Sequence, residues 1–169
     1  MRAQIWAPGA GVVALASALV AGVPAAASAA PVTGSENFTV VVTGHRPQLF
    51  TAEGTLTATG TAVEVINNGP SGGVDQVQLP GGTFTLTLQN APGPTGGGGP
   101  PDPVTCVSTF DGTGVSTISD GTGSFAGITG SGTYTFHGTF ITTPTAQGGC
   151  SQQATIIDIV RDQGTLTLP

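Results

Sequence analysis

Lysine is absent from this chain, and its three basic residues are the arginines Arg2, Arg46 and Arg161. Against them stand nine acidic residues, which leaves a formal charge of −6. A surface so poor in cations cannot neutralise a phosphate backbone, so nucleic-acid binding is excluded. Docking on an anionic membrane surface fails for the same reason. Only two histidines, His45 and His137, are present to act as near-neutral acids or bases. Strong helix formers are scarce after residue 30 and no segment there keeps a helical period, which excludes a helical bundle. What the chain has instead is glycine, 28 residues of it, with threonine almost as frequent. Threonine favours the pleated strand, and glycine the turns between strands. At 169 residues there is room for one domain.

Residues 1–29 read as an export signal and not as part of the fold. Arg2 supplies a minimal positive start, and residues 12–21 form an apolar run of about ten residues, too short to span a bilayer. Pro24 then breaks any helix, and Ala27-Ser28-Ala29 provides the small-x-small pattern that a signal peptidase cuts. The mature domain, residues 30–169, is therefore expected to be secreted, with no membrane insertion after cleavage. The two cysteines, Cys106 and Cys150, suit an oxidising compartment as one disulfide closing a loop of about 45 residues.

The mature chain reads as eight to ten short strands. In the run from Thr83 to Leu88, Phe84, Leu86 and Leu88 share one face and the threonines the other. The run from Thr133 to Phe140 repeats the pattern with Tyr134, Phe136 and Phe140 together, and Phe38, Val40 and Val42 form a third such face. A fourth strand is expected through Phe50, Ala52, Gly54, Leu56 and Ala58. Shorter strands are expected at 62–66, 74–79, 104–110, 114–118, 155–160 and 165–168. Many short strands with regular turn signals predict an all-β sandwich or barrel. The stretch 91–103 is rich in glycine and proline and reads as a long hairpin loop inside one domain.

One glycine-rich segment stands out. Asp-Gly-Thr-Gly occurs at 111–114 and again at 120–123, and the second copy opens a run that continues to Thr133 through Phe125, Gly127, Ile128, Gly130 and Gly132. A phosphate loop would need a helix to follow, and a threonine-rich strand follows instead. A calcium-binding nonapeptide array would need several tandem copies. The run from Gly121 to Thr133 resembles the glycine-rich segment of allene-oxide-cyclase-like and dirigent-like β-barrels. Residues 52–61 resemble that group's early glycine-punctuated strand, and 75–84 its middle hairpin. The resemblance implies a single closed antiparallel barrel of about eight strands, often with an apolar interior that admits a small ligand. It implies that Gly123, Gly127, Gly130 and Gly132 are structural, at a turn of that barrel where a β-carbon is opposed. It carries no catalytic residue across.

Candidate chemistry is thin. His137 falls on the threonine face of its strand and points outward, and His45-Arg46 reads as a loop that carries a rare positive charge. Asp158 alternates with Ile157 and Ile159, which favours a solvent-facing carboxylate; the alternative is a charge inside the barrel paired with Arg161 or Tyr134. Tyr134, Phe136, Asp158 and Arg161 are therefore the ligand-binding candidates. No Ser-His-Asp order, paired catalytic carboxylates or histidine-rich metal spacing stands out, so no catalytic residue, metal or cofactor is assigned. The expectation is non-catalytic: binding of a small apolar molecule, or a surface interaction role. The alternative is an isomerase or cyclase of the allene oxide cyclase type, working largely by confining a flexible substrate.

Overall fold

Alternating apolar and threonine residues give each strand one face for a core and one for water, and short connections force neighbours in sequence to pair antiparallel. The computed structural model describes residues 30–44, 47–92 and 99–169, and it shows this carried around a full circle. Eight strands follow in order: β1 (Val32–Val42), β2 (Gln48–Gly54), β3 (Ala58–Asn67), β4 (Gly72–Leu79), β5 (Gly82–Asn90), β6 (Val107–Ser119), β7 (Thr129–Pro144) and β8 (Cys150–Leu168). Each pairs antiparallel with the next, and β8 returns to β1 along a register from Val32↔Leu168 to Val42↔Asp158. The result is a closed up-and-down barrel with short 3₁₀ turns at Gly69–Ser71 and Gly123–Phe125. The expected signal at residues 1–29 and the His45-Arg46 loop lie outside the described residues.

Three expectations about strand boundaries are corrected. The run from Phe50 to Ala58 is not one strand but the end of β2, a turn and the start of β3. Glu36, only 1% exposed, makes that turn: its Oε2 accepts the Leu56 N–H at 2.7 Å. The short segments 104–110 and 114–118 merge into one strand, β6, which begins only at Val107, and 155–160 and 165–168 are parts of one strand, β8. Glycine and polar residues inside those strands read locally as breaks, but their backbone pairs continuously across β7.

The barrel has two unlike ends. At one end the glycine-rich segment folds inward as a plug. Gly123 takes φ +59°, and the N–H groups of Thr122 and Ser124 donate to the carbonyls of Thr83 and Gly81 at 2.8 and 2.9 Å. This drives Phe125 into the interior, edge-on to Phe84 at 5.9 Å between ring centroids. Phe84 in turn meets Phe50 edge-on at 5.9 Å, and Phe50 meets Phe38 at 5.2 Å. Ile128, Leu79, Leu86 and Leu166 complete a filled core. Gly127 also has positive φ, at +96°, whereas Gly130 and Gly132 lie in β7 with extended backbone. Their role is close approach: a β-carbon on Gly130 would stand 2.9 Å from the Thr165 carbonyl, and one on Gly132 would strike the Asp162 carboxylate.

At the other end β6, β7 and β8 run on past their neighbours. Pairing of β5 with β6 stops at Asn90↔Gly114, and pairing of β1 with β8 at Val42↔Asp158, while β7 and β8 continue to Pro144↔Cys150. A three-stranded flap therefore stands beyond the barrel rim. Cys106 and Cys150 are disulfide-bonded at its tip, with 5.4 Å between their Cα atoms.

Candidate functional site

The open end encloses a cavity of about 520 Å³, within the range of small-molecule sites. Its chief wall comes from β6 and β7. The alternation of β7 turns Tyr134, Phe136 and Phe140 inward, with Gly138 between them, and β6 turns in Phe110, Gly112 and Gly114. The register sets a glycine opposite a ring three times: Phe110↔Gly138, Gly112↔Phe136 and Gly114↔Tyr134. At each pair the far end of the ring occupies the space a β-carbon on the glycine would fill. The rings thus lean along the wall over the neighbouring strand and leave the lumen open. They form a continuous ladder, with Tyr134–Phe136 centroids at 6.2 Å, Phe136–Phe110 at 6.1 Å and Phe110–Phe140 at 4.5 Å. Val40, Val42, Leu88 and Val160 on the other strands complete the apolar lining.

Polar groups are few and placed. The Tyr134 hydroxyl donates to Asn90 Oδ1, and Asn90 Nδ2 donates to the Pro70 carbonyl at 2.8 Å, tying β7, β5 and the β3–β4 turn together. Burial, and behind it the charge of Asp162, pushes the Tyr134 phenol up to about 12, so it remains a donor across the physiological range. Asp158 lines the lumen, and its Oδ1 is enclosed without a hydrogen-bond partner. Burial raises its pKa; nearby N–H groups of Ile159 and His137 and the His137 charge oppose the shift. Beneath the lumen Asp162 is 4% exposed, with Oδ2 unpartnered. Burial raises its pKa too, opposed by the Ser116 hydroxyl. Glu64 and Asp75 also line the cavity.

Tyr134, Phe136 and Asp158 of the sequence candidates are thus brought together, and the interior reading of Asp158 is the correct one. Arg161 is not with them. Val160 and Asp162 face inward on either side of it, so strand alternation sends Arg161 to the exposed outer surface. No Asp158–Arg161 pair forms inside. His137 is exposed on the outer face, as its position among threonines implied. Sequence reasoning missed Asp162, Asp75 and Asn90. Parity was the available signal: Asp162 is two residues from inward Val160, and Asp75 two from inward Val77.

A larger depression of about 610 Å³ lies against the flap beside Pro101 and Pro103, but none of the side chains lining it is ionisable. Among the described residues no three His, Cys, Asp or Glu side chains come together as metal ligands. No family model, curated protein or solved structure matches this chain.

Proposed function

We propose that this protein is a secreted, non-catalytic binder of a small, largely apolar molecule, held in the open-end cavity. The observation that carries the reading is the glycine-backed aromatic wall. Three glycines lie where bulkier residues would push the rings across the lumen, and the space so kept is bounded by Tyr134, Phe136, Phe110 and Phe140. A barrel needing only a packed core would fill that space, as this one does at its opposite end. The resemblance of residues 121–133 to allene-oxide-cyclase-like barrels supports the same reading, since such interiors admit small ligands.

Native mass spectrometry of the purified secreted protein tests it. A co-purifying mass, or saturable uptake of a neutral aromatic probe, is the expected result. A folded protein that carries and takes up nothing overturns it. The cyclase alternative needs the same cavity and separates on whether the molecule recovered has been rearranged. Export is tested by sequencing the mature amino terminus, which should begin at Ala30.

A further inference from the structure

We propose that the molecule held in this cavity is an organic cation, an ammonium group carried on an apolar body, with Asp158 as its counter-ion and the aromatic ladder as its wall. This rests on the reading above that the cavity holds a ligand at all. Four observations support the choice of charge. The charged side chains among the described lining residues are Glu64, Asp75 and Asp158, all of one sign. Carboxylates lining a low-dielectric cleft focus a negative potential into it, which draws cations and repels fatty-acid-like anions. The rings of Phe110, Phe136 and Phe140 line the same lumen, and aromatic rings attract ammonium groups. Asp158 lines the same lumen with one enclosed carboxylate oxygen lacking a hydrogen-bond partner; the His137 charge that acts on it comes from an exposed side chain on the outer face of β7, and burying a carboxylate is costly. A neutral hydrocarbon in the cavity would deepen that cost, whereas an ammonium group would offset it. Arg161, the one described basic side chain that β8 offers nearby, faces the other way.

Calorimetric titration with a matched pair of probes tests the charge alone. Benzyltrimethylammonium and its neutral carbon isostere neopentylbenzene have nearly the same shape. The cation should bind at least about tenfold more tightly, a difference of about 1.4 kcal/mol. Asp158→Asn should remove that preference and leave the neutral probe's affinity unchanged. Phe136→Leu, which keeps the site apolar but takes away a ring, should weaken the cation more than the neutral probe; it serves as the second arm if the Asn variant does not fold. Equal binding of the two probes, or a preference that survives both substitutions, overturns the cation assignment and leaves the cavity reading standing. Binding of neither probe to protein with an intact melting transition overturns both.

Discussion

Of the carboxylates in this barrel that water does not reach well, three have pKa values whose shift sets the direction of its pH dependence. Glu36, Asp158 and Asp162 all have pKa values raised chiefly by desolvation. A group whose folded pKa is raised binds its proton more tightly in the folded state. Stability is then greatest when the group is protonated, and it falls as pH climbs from the ordinary carboxylate range through the raised values. Asp102 works the other way, because the N–H groups of Thr105 and Val104 hold it low, so its contribution is lost only below the usual range. The expected outcome is a melting temperature higher at about pH 5 than at about pH 8. Self-repulsion of the acidic chain acts in the same direction. The isosteric variants Asp158→Asn and Asp162→Asn separate the two causes, since each should flatten the profile far more than one lost surface charge would. A profile that rises with pH would contradict the assignment. The glycines behind the rings make a second test at this scale. On Gly112 and Gly138 the three heavy atoms nearest to an added β-carbon all belong to the movable end of the Phe136 or Phe110 ring. Gly112→Ala and Gly138→Ala should therefore fold, at a cost of about 1–3 kcal/mol for overpacking, while pushing a ring into the lumen and abolishing uptake of an aromatic probe. Unchanged uptake would show that the rings do not gate the space.

Among the elements, the plug between β6 and β7 and the flap beyond the rim behave oppositely. Phe125 closes a chain of edge-on rings, so Phe125→Ala should cost about 3–5 kcal/mol in chemical denaturation. Gly127 has open space around it, with Pro169 Cβ at 3.8 Å the nearest neighbour of an added β-carbon, but its φ of +96° opposes a side chain. Gly127→Val should thus lose on the order of 1–3 kcal/mol from backbone strain alone. Both changes lie at the closed end and should leave probe affinity at the open end intact. Lost binding with unchanged melting would make the glycine run a ligand loop instead. The flap depends on its staple. The disulfide, with a sequence separation of 44, closes β6, the plug and all of β7 into one loop. Replacing Cys106 and Cys150 by Ala should lower stability by up to about 4 kcal/mol on chain-entropy grounds. Hydrogen exchange should show the loss first in residues 107–113 and 150–157, whose outer partners are missing beyond the rim.

At the scale of the whole molecule the barrel divides into a filled half and an open half. Closure of β8 on β1 removes the free sheet edges along the body of the barrel and leaves them at the rim, on the flap and at the end of β3 beyond Ala62. Amide protection should follow that division, highest around Phe38, Phe50 and Phe84 and falling toward the rim, with a bound ligand raising it at the open end. Uniform protection along β7, from Gly130 to Pro144, would show that flap and barrel open as one unit.

Much of this architecture was legible in the order of residues, because a strand has a period of two and alternation needs no knowledge of its partner. Threonine alternating with Phe84 and Leu86, or with Tyr134 and Phe136, already declares strands with one buried face, and two cysteines in a chain read as secreted already declare one bridge. Glycine cannot be read this way, since the same residue marks a turn at Gly123 and Gly127 and lies within a strand at Gly112, Gly130 and Gly138. What distinguishes these cases is a neighbour distant in the chain, across the β6–β7 or β7–β8 register. Asp158 was ambiguous for a related reason. The isoleucines beside it, Ile157 at 44% exposed among them, mark an apolar outer face, so local pattern pointed its carboxylate the wrong way. Pairing with β1 and β7 decided that Asp158 and Asp162 face in and Arg161 out. Composition and alternation determined that the chain is an all-β domain with little catalytic equipment. Only the tertiary structure decided which end stays open, which rings line it and which acid waits inside, because those follow from register between distant strands and register is a property of pairs.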